Sequence, residues 1–495
     1  MKDISLITIN EKDNVAVALH DIKAGEEHNG IKFLNDIPFG HKVAIKNIST
    51  CENIIKYGFP IGYAKNDIKE GEHVHTHNLH TNLNDIIDYE YNPINNIENN
   101  NLIESDIFFE GYKRVDGKVG TRNEVWIIPT VGCVNNTVKT LENMASKKYG
   151  NRCDGIFAYT HNMGCSQTGD DQIITQKLLS GIIKNPNAGG VLIVSLGCEN
   201  NNLDVFKPFL KGIDENKIRF LITQDVEDEY EEGMKYLDEL TKYASSFKRE
   251  KVPIKYLTIG FKCGGSDAFS GITANVVCGK LNNIFINNGG SSILTETPEM
   301  FGAETILMSR AANKKVFNEL VSLINDYKNY FKKYGETIYE NPSPGNKKGG
   351  ISTLEEKSLG CVQKGGTSTI EDILDYGEYI SKNGLNILKG SGNDQVSCTN
   401  LTASGTNIIL FTTGRGTPFG SIVPTLKISS NSNIYKKKNN WIDFNAGRIL
   451  ENMPVNDIVN ELFELVINVA SGKIQTKNEK NGYREISIFR DGIIL

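Results

Sequence analysis

Seven of the eight histidines fall within the first 80 residues, at positions 20, 28, 41, 73, 75, 77 and 80. In GEHVHTHNLH (71–80), His73, His75 and His77 recur with period two. On a strand they would share one face. Imidazoles so spaced suit a divalent cation, and near neutral pH a histidine also moves protons. The eighth, His161, closes an apolar run and is a candidate base or acid. Three glycine-rich stretches offer further chemistry. GFKCGGSDAFSGITAN (260–275) sets Ser266, Asp267 and Asn275 among glycines, where a polyhydroxylated or anionic ligand can approach the backbone closely. Asp267 and Glu199 are candidate carboxylates for metal or hydroxyl contacts. TTGRGTPFG (412–420) places Arg415 between two glycines, beside Thr417. A guanidinium there would clamp a substrate carboxylate bidentately. NPSPGNKKGG (341–350) reads as a non-helical loop that offers Lys347 to the same anion.

The elements that must position these groups follow a repeated plan. Six β-prone runs end in polar, glycine-rich punctuation. They are 125–131, 155–160, 190–196, 254–261, 292–295 and 407–412. In open α/β sheets ligands bind outside the carboxyl ends of strands, so several of these ends are expected to line one active site. Helix-compatible spacing over 136–148, 171–184 and 227–243 alternates with the strands, which predicts βαβ units and a parallel sheet. A long helical segment is expected over 303–334. Residues 1–90 instead alternate short apolar runs with turns and read as an all-β module. Two phrases there echo each other, AVALHDIKAGEE (16–27) and IGYAKNDIKEGEH (61–73). The asparagine-rich stretch 91–108 reads as a linker, 109–247 as a second, α/β domain, and 248–495 as a C-terminal α/β domain.

Composition narrows the classes of function. The 495 residues carry 39% hydrophobic and 23% charged side chains, as globular domains do. A formal net charge of −6 without a long basic run argues against nucleic-acid binding. No stretch approaches the roughly 20 apolar residues of a membrane span, and the first residues lack a signal-peptide core, so a cytoplasmic location is expected. A homodimer is compatible with the α/β body, but no stretch specifies one. Nine scattered cysteines with no CxxC pair argue against a disulfide framework. Cys133, Cys165, Cys198, Cys263 and Cys361 each adjoin a glycine; Cys133 or Cys165 is a candidate metal ligand. No P-loop or GxGxxG fingerprint is present, so nucleotide binding is not expected.

Along essentially its whole length the sequence resembles the altronate/galactarate dehydratase family. The phrases that carry the resemblance include GHKVA (40–44), GEHVHTHN (71–78), VGTRNEVWIIPTVGCVN (119–135), GCSQTGDD (164–171), CGGSDAFSGITAN (263–275), TETPEMFGAE (295–304), NPSPGNKKGG (341–350), EKSLGC (356–361) and WIDFNAG (441–447). One departure is Val276-Val277, where the family often has proline. The resemblance implies an N-terminal SAF-type β-clip domain on a two-part α/β body. It also implies a small-molecule sugar-acid substrate and dependence on iron(II), with manganese(II) as a substitute. The histidine string points to the altronate branch, which dehydrates D-altronate to 2-dehydro-3-deoxy-D-gluconate in hexuronate catabolism. On that reading His161, His75 and Asp267 are the catalytic candidates, and His73, His75, His77 and Glu199 the metal candidates. Arg415, Lys347, Ser266, Asn275 and Thr417 would bind substrate. Competing readings are galactarate dehydratase, a sulfolactate sulfo-lyase-like enzyme, a non-catalytic carbohydrate-binding protein, and an iron–sulfur dehydratase using three of Cys133, Cys165, Cys198 and Cys263.

Overall fold

A computed structural model describes residues 5–94 and 107–493, so positions 95–106 of the expected linker lie outside the described residues. The amino-terminal module is all β. One antiparallel sheet runs in the order Leu6–Ile7, Val15–Ala18, Lys42–Ala44, His73–Val74. A second joins Asn53–Lys56, Phe59–Ala64 and Leu79–His80. The two echoing phrases fold alike. In each, a strand (Val15–Ala18; Phe59–Ala64) leads to a single bridge at Ile22 or Ile68, then to a turn with glycine at φ +90° or +85°. Val15, Ala44, Ile61 and Val74 share one hydrophobic core with Phe261, Val277 and Leu359 of the C-terminal domain, so the module is packed onto the body.

Phe108–Lys113 pairs antiparallel with Val119–Gly120 and with Arg249–Pro253, clamping together the chain that enters and leaves the second domain. Within that domain four parallel strands lie in the order Ile156–Ala158, Glu124–Pro129, Ala188–Ser195, Ile218–Ile222. Ala188–Ser195 is buried along its whole length, as a strand covered on both faces must be. The helices form at Asn135–Tyr149, Gly169–Lys184 and Glu229–Ser245. The last is capped by Asp228, which accepts from the N–H groups of Tyr230 and Glu231.

The C-terminal domain holds seven parallel strands in the order Ile370–Leu374, Gly384–Leu388, Ser291–Leu294, Thr258–Cys263, Ile408–Thr413, Thr425–Ser429, Phe444–Asn445. The chain starts at the central strand Thr258–Cys263 and forms Ser291–Leu294 beside it. The edge strand Ile370–Leu374 follows, then Gly384–Leu388 between it and Ser291–Leu294, and the chain crosses to Ile408–Thr413 on the other side. The carboxyl ends of Thr258–Cys263 and Ile408–Thr413 therefore flank a topological switch point, where such sheets open a ligand crevice.

All six glycine-punctuated runs hold parallel strands, three in each of the two parallel sheets. The structure departs from the sequence expectations in three places. NPSPGNKKGG contains a helical turn, Pro344–Lys348. Ser343 caps it reciprocally with Asn346, and Pro344 takes the first position, where its missing N–H costs nothing. The 303–334 segment breaks into Glu304–Met308 and Lys314–Lys333, the second capped by Asn313. The strand that begins at His73 ends at Val74, and His75 and His77 sit in the following turn rather than on a strand face.

Candidate active site

The histidines converge through the turn and through strand pairing. Val43 pairs with His73 across the sheet, which brings His41 alongside. His41 Nδ1 lies 3.0 Å from His73 Nε2. The His75 ring centroid is 4.9 Å from that of His41, and the exposed His77 ring is 5.4 Å from that of His73. Burial lowers the His73 pKa to about 4 and that of His75 to about 3. His41 was not a sequence candidate, because it stands alone in the phrase GHKVA.

This group is fastened to the C-terminal domain by one short segment, residues 348–356. His75 Nδ1 lies 2.8 Å from Ser352 Oγ, and His41 Nε2 lies 3.3 Å from the Lys348 carbonyl. Lys42 Nζ donates to Gly350 O, Ser352 Oγ and Glu356 Oε2, each at 2.8 Å. Lys56 Nζ donates to Glu356 Oε1, also at 2.8 Å. Burial acts to raise the Glu356 pKa, but Lys42 and Lys56 outweigh it and hold the carboxyl at about 2. Every residue of the helix Leu354–Cys361 is buried although half are polar. Hydrophobic periodicity is blind to such a helix, which is why Glu356 and Lys357 were not candidates from sequence.

Lys56, Ser266, Asp267, Glu356 and Lys357 line a small cleft beside this joint. Ser266 Oγ is buried there and has no hydrogen-bond partner among the described residues. Asp267 Oδ1 accepts from Ser270 N and Oγ and from Ser430 Oγ, and Oδ2 from Asn431 Nδ2. Burial nonetheless raises its pKa. Asp267 thus ties the 263–275 turn to the end of Thr425–Ser429, the next strand but one in the sheet. Asn346 Nδ2 donates to Ser266 O at 2.8 Å, which seats the helical turn bearing Lys347 on the same loop. A Cβ built on Gly345 would stand 3.7 Å from Arg415 Nε, and one on Gly265 3.4 Å from Arg415 Cβ. Arg415, Ser266 and Asp267 are therefore gathered at the switch point, while Lys347, on the helical turn seated beside them, lines a neighbouring pocket with Pro298, Phe331 and Ile338. Thr417 lies on the same loop as Arg415, where its Oγ1 accepts from Phe419 N and its carbonyl from Lys427 Nζ. Asn275 is committed to the scaffold, donating to Gly360 O and accepting from Thr412 Oγ1.

Behind the cleft, Cys263, Glu299 and Cys361 are the one trio of metal-type ligand atoms within 4.8 Å of one another among the described residues. The two sulfurs are 3.3 Å apart, and Cys361 Sγ donates to Glu299 Oε2 at 3.1 Å. Burial opposes ionisation of Glu299, but Lys357, Lys262 and Lys364 hold it at about 2, while the hydrogen bond to Cys263 and burial push the Cys361 thiol well up.

The remaining sequence candidates lie on the second domain, and no hydrogen bond or ring contact among the described residues joins them to the histidine group. His161 Nε2 donates to Pro129 O at 2.8 Å and Nδ1 accepts from Met163 N at 3.1 Å. With both ring nitrogens engaged and burial lowering its pKa to about 4, His161 locks a turn and has no nitrogen left for proton transfer. Glu199 Oε1 accepts from Thr130 Oγ1, Ser195 Oγ and Leu196 N, and Oε2 from Gly197 N, so its carboxylate organises the loop rather than waiting for a metal. Cys133 and Cys165 are exposed on strand-end loops.

Three family profiles together cover most of the chain. They are the altronate/galactarate dehydratase SAF domain (residues 4–82), the second domain of D-galactarate dehydratase/altronate hydrolase (111–245) and the C-terminal domain of D-galactarate/altronate dehydratase (254–494). The chain is 48% identical to altronate dehydratase of Bacillus subtilis (strain 168), over 99% of this chain and 100% of that protein. It is 45% identical to altronate dehydratase of Escherichia coli (strain K12), over 99% of each. Identity to the galactarate dehydratase (L-threo-forming) of Escherichia coli (strain K12) is 32%, over 98% of this chain and 96% of that one. With its SAF-domain histidines fastened to the switch point of a parallel sheet and these matches along its full length, the chain belongs to the altronate/galactarate dehydratase family.

Proposed function

We infer that this chain is a hydro-lyase that converts D-altronate to 2-dehydro-3-deoxy-D-gluconate and water. The observation that carries the reading is the contact between His75 and Ser352, which brings an imidazole from the amino-terminal domain to the segment whose Ile351 and Glu356 line the switch-point cleft of the C-terminal one. The family match makes a sugar acid the substrate class. The two most similar curated relatives named above, both altronate dehydratases, favour D-altronate over galactarate.

In the reaction the C2–H bond breaks, its electrons form the C2=C3 bond, and the C3 hydroxyl leaves as water once protonated. The enol then becomes the 2-keto acid as a proton returns to C3. Arg415 binds the substrate carboxylate through a planar fork that matches it. Ser266 Oγ, buried without a partner, offers a hydrogen bond to a sugar hydroxyl. His75 is anchored through Nδ1 on Ser352, and its Nε2, without a partner among the described residues, accepts the C2 proton.

The donor chemistry fits a divalent metal at the mouth of this cleft. Two imidazoles, His73 and His77, would hold it, and the substrate's own oxygens would complete the set, in keeping with the taste of iron(II) for mixed imidazole and carboxylate ligation. When bound, iron(II), or manganese(II) in its place, supplies Lewis-acid stabilisation of charge on the substrate carboxylate. Purified protein incubated anaerobically with iron(II) and, separately, D-altronate, D-galactarate and D-mannonate tests the assignment. A 2-keto-3-deoxy acid from D-altronate alone is expected. Product only from another acid would move the substrate, and no product with iron bound would refute the activity.

A further inference from the structure

The second domain has a switch point of its own that the hydro-lyase reading leaves unused. Its first strand, Glu124–Pro129, is flanked by Ile156–Ala158 on one side and Ala188–Ser195 on the other. The loops after these three strands carry Cys133, Cys165 and Cys198, and all three are exposed. Cysteine is among the most buried residue types, and only one other cysteine, Cys51, is exposed among the described residues. Three exposed cysteines on three adjacent strand ends of one sheet therefore need a reason other than packing.

The loops are bound to one another close to each sulfur. Gly132 N donates to Met163 O at 2.9 Å, and Asn201 N donates to Gly164 O at 3.1 Å. Ser166 N donates to Asn200 Oδ1 at 3.2 Å, and Asn201 Nδ2 donates to Thr130 O at 3.0 Å. Ser166 holds a left-handed backbone at φ +56°, a conformation costly for a residue with a side chain and kept only where the surroundings enforce it. Asn201 is fully buried, and its Oδ1 has no partner among the described residues. His161 and Glu199, whose polar atoms are all spent on these same loops, hold the arrangement together. The sulfurs themselves make only weak contacts: Cys198 accepts from Gln224 Nε2 at 3.6 Å, and Cys165 lies 3.8 Å from Ser166 Oγ.

We propose that Cys133, Cys165 and Cys198 ligate an iron–sulfur cluster at the carboxyl edge of the second-domain sheet, with one iron left without a protein ligand. A single ion would need the three sulfurs in mutual contact, and they are not among the ligand atoms that close to within 4.8 Å. A cluster is wider and takes one thiolate per iron. The helices Asn135–Tyr149 and Gly169–Lys184 start directly after two of the loops, and their positive ends favour the negative charge of a thiolate-bound cluster. This assignment stands apart from the hydro-lyase reading, since it invokes no residue of the cleft.

The test is anaerobic reconstitution of the full chain with iron(II) and sulfide, followed by iron and acid-labile sulfide analysis, visible absorption and electron paramagnetic resonance after reduction. The wild type should hold about four irons and four sulfides per chain, as a [4Fe–4S] cluster requires, with broad sulfur-to-iron charge-transfer absorption. Cys133→Ser, Cys165→Ser and Cys198→Ser should each lose it, and Cys51→Ser should keep it. Alkylation mapping of the wild type needs no variant: in reconstituted protein the three cysteines should be protected while Cys51 reacts. Iron without labile sulfide, a cluster that survives the triple variant, or unprotected cysteines would overturn the proposal.

Discussion

Glu356→Gln is the substitution that most directly tests how the two ends of the chain are joined. Glu356 sits between Lys42 and Lys56, 2.8 Å from each, and all three side chains are at most 1% exposed. Holding the Glu356 carboxyl at about 2 against an ordinary 4.5 contributes about 3 kcal/mol at neutral pH, at 1.36 kcal/mol per pH unit. Lys42 moves the other way. Burial lowers it from 10.5 to about 8, a cost of about 3 kcal/mol at neutral pH. Lys56 moves up, because Glu356 outweighs the cost of its burial, so the cost falls on Lys42 alone and the triad as a whole is held by its single carboxylate. Removing that one anion, as Glu356→Gln does, strands two buried ammonium groups, at about 3–5 kcal/mol. Thermal or urea unfolding of the variant at pH 7 should show that loss, and limited proteolysis should show early release of the amino-terminal domain. The triple replacement Lys42→Met, Glu356→Leu, Lys56→Met should recover most of it. The pH dependence has a fixed sign. Because the folded pKa of Glu356 is depressed, its contribution is present above pH 4.5 and is lost as the pH falls from there towards 2. A Glu356→Gln protein as stable as the wild type, with the same acid limb, would show that the triad is not dry and that the joint is held by other means.

Arg415→Ala should raise KM for D-altronate by about 10- to 100-fold, the worth of hydrogen bonds to a charged group, with a smaller effect on kcat; an unchanged KM in steady-state assays would remove Arg415 from the carboxylate site. His161→Ala should cost about 2 kcal/mol in unfolding, since it strands the Pro129 carbonyl and the Met163 N–H, while turnover per folded molecule holds. Collapse of kcat at unchanged stability would instead make His161 a proton carrier. Gly350→Ala should destabilise by more than about 1 kcal/mol and weaken domain docking in the same proteolysis assay. Its φ is +94°, and a Cβ there would stand 2.2 Å from the Gly40 carbonyl across the domain joint.

Much of this was legible because strands and their ends obey local rules. The six apolar runs became strands, and the second-domain helices formed within two residues of the spacing that predicted them. The histidine string also announced chemistry, since its residue types are unusual together. What spacing could not reveal was which face they would share: a strand of two residues followed by a turn gathers His73, His75 and His77 as effectively as a longer strand would, and recruits His41 from a neighbour in the sheet but not in sequence. Ser266 and Arg415 were nameable one by one because glycine flanks them. Their meeting depends on the crossing of the C-terminal chain from one side of Thr258–Cys263 to the other, a choice made by the whole sheet.

The polar interior was the least visible part, for a physical reason. Hydrophobic patterning finds segments whose apolar side must be hidden, and Leu354–Cys361 has no such side: its Glu355, Glu356, Lys357 and Ser358 are all buried. They are tolerated because each charge there meets a counter-charge or hydrogen-bond donor from a distant segment: Glu355 meets Thr81, Glu356 meets Lys42 and Lys56, and Lys357 meets Glu299. Burial of one such group alone would be prohibitive. The helix can therefore fold into place only when the amino-terminal domain docks, and the same docking event delivers His75 to the segment that lines the cleft. Stability of the joint and assembly of the candidate site are one equilibrium, so variants that weaken the Lys42–Glu356–Lys56 triad should lose turnover in step with proteolytic release of the amino-terminal domain, even though none of the three is required to touch the reacting carbons.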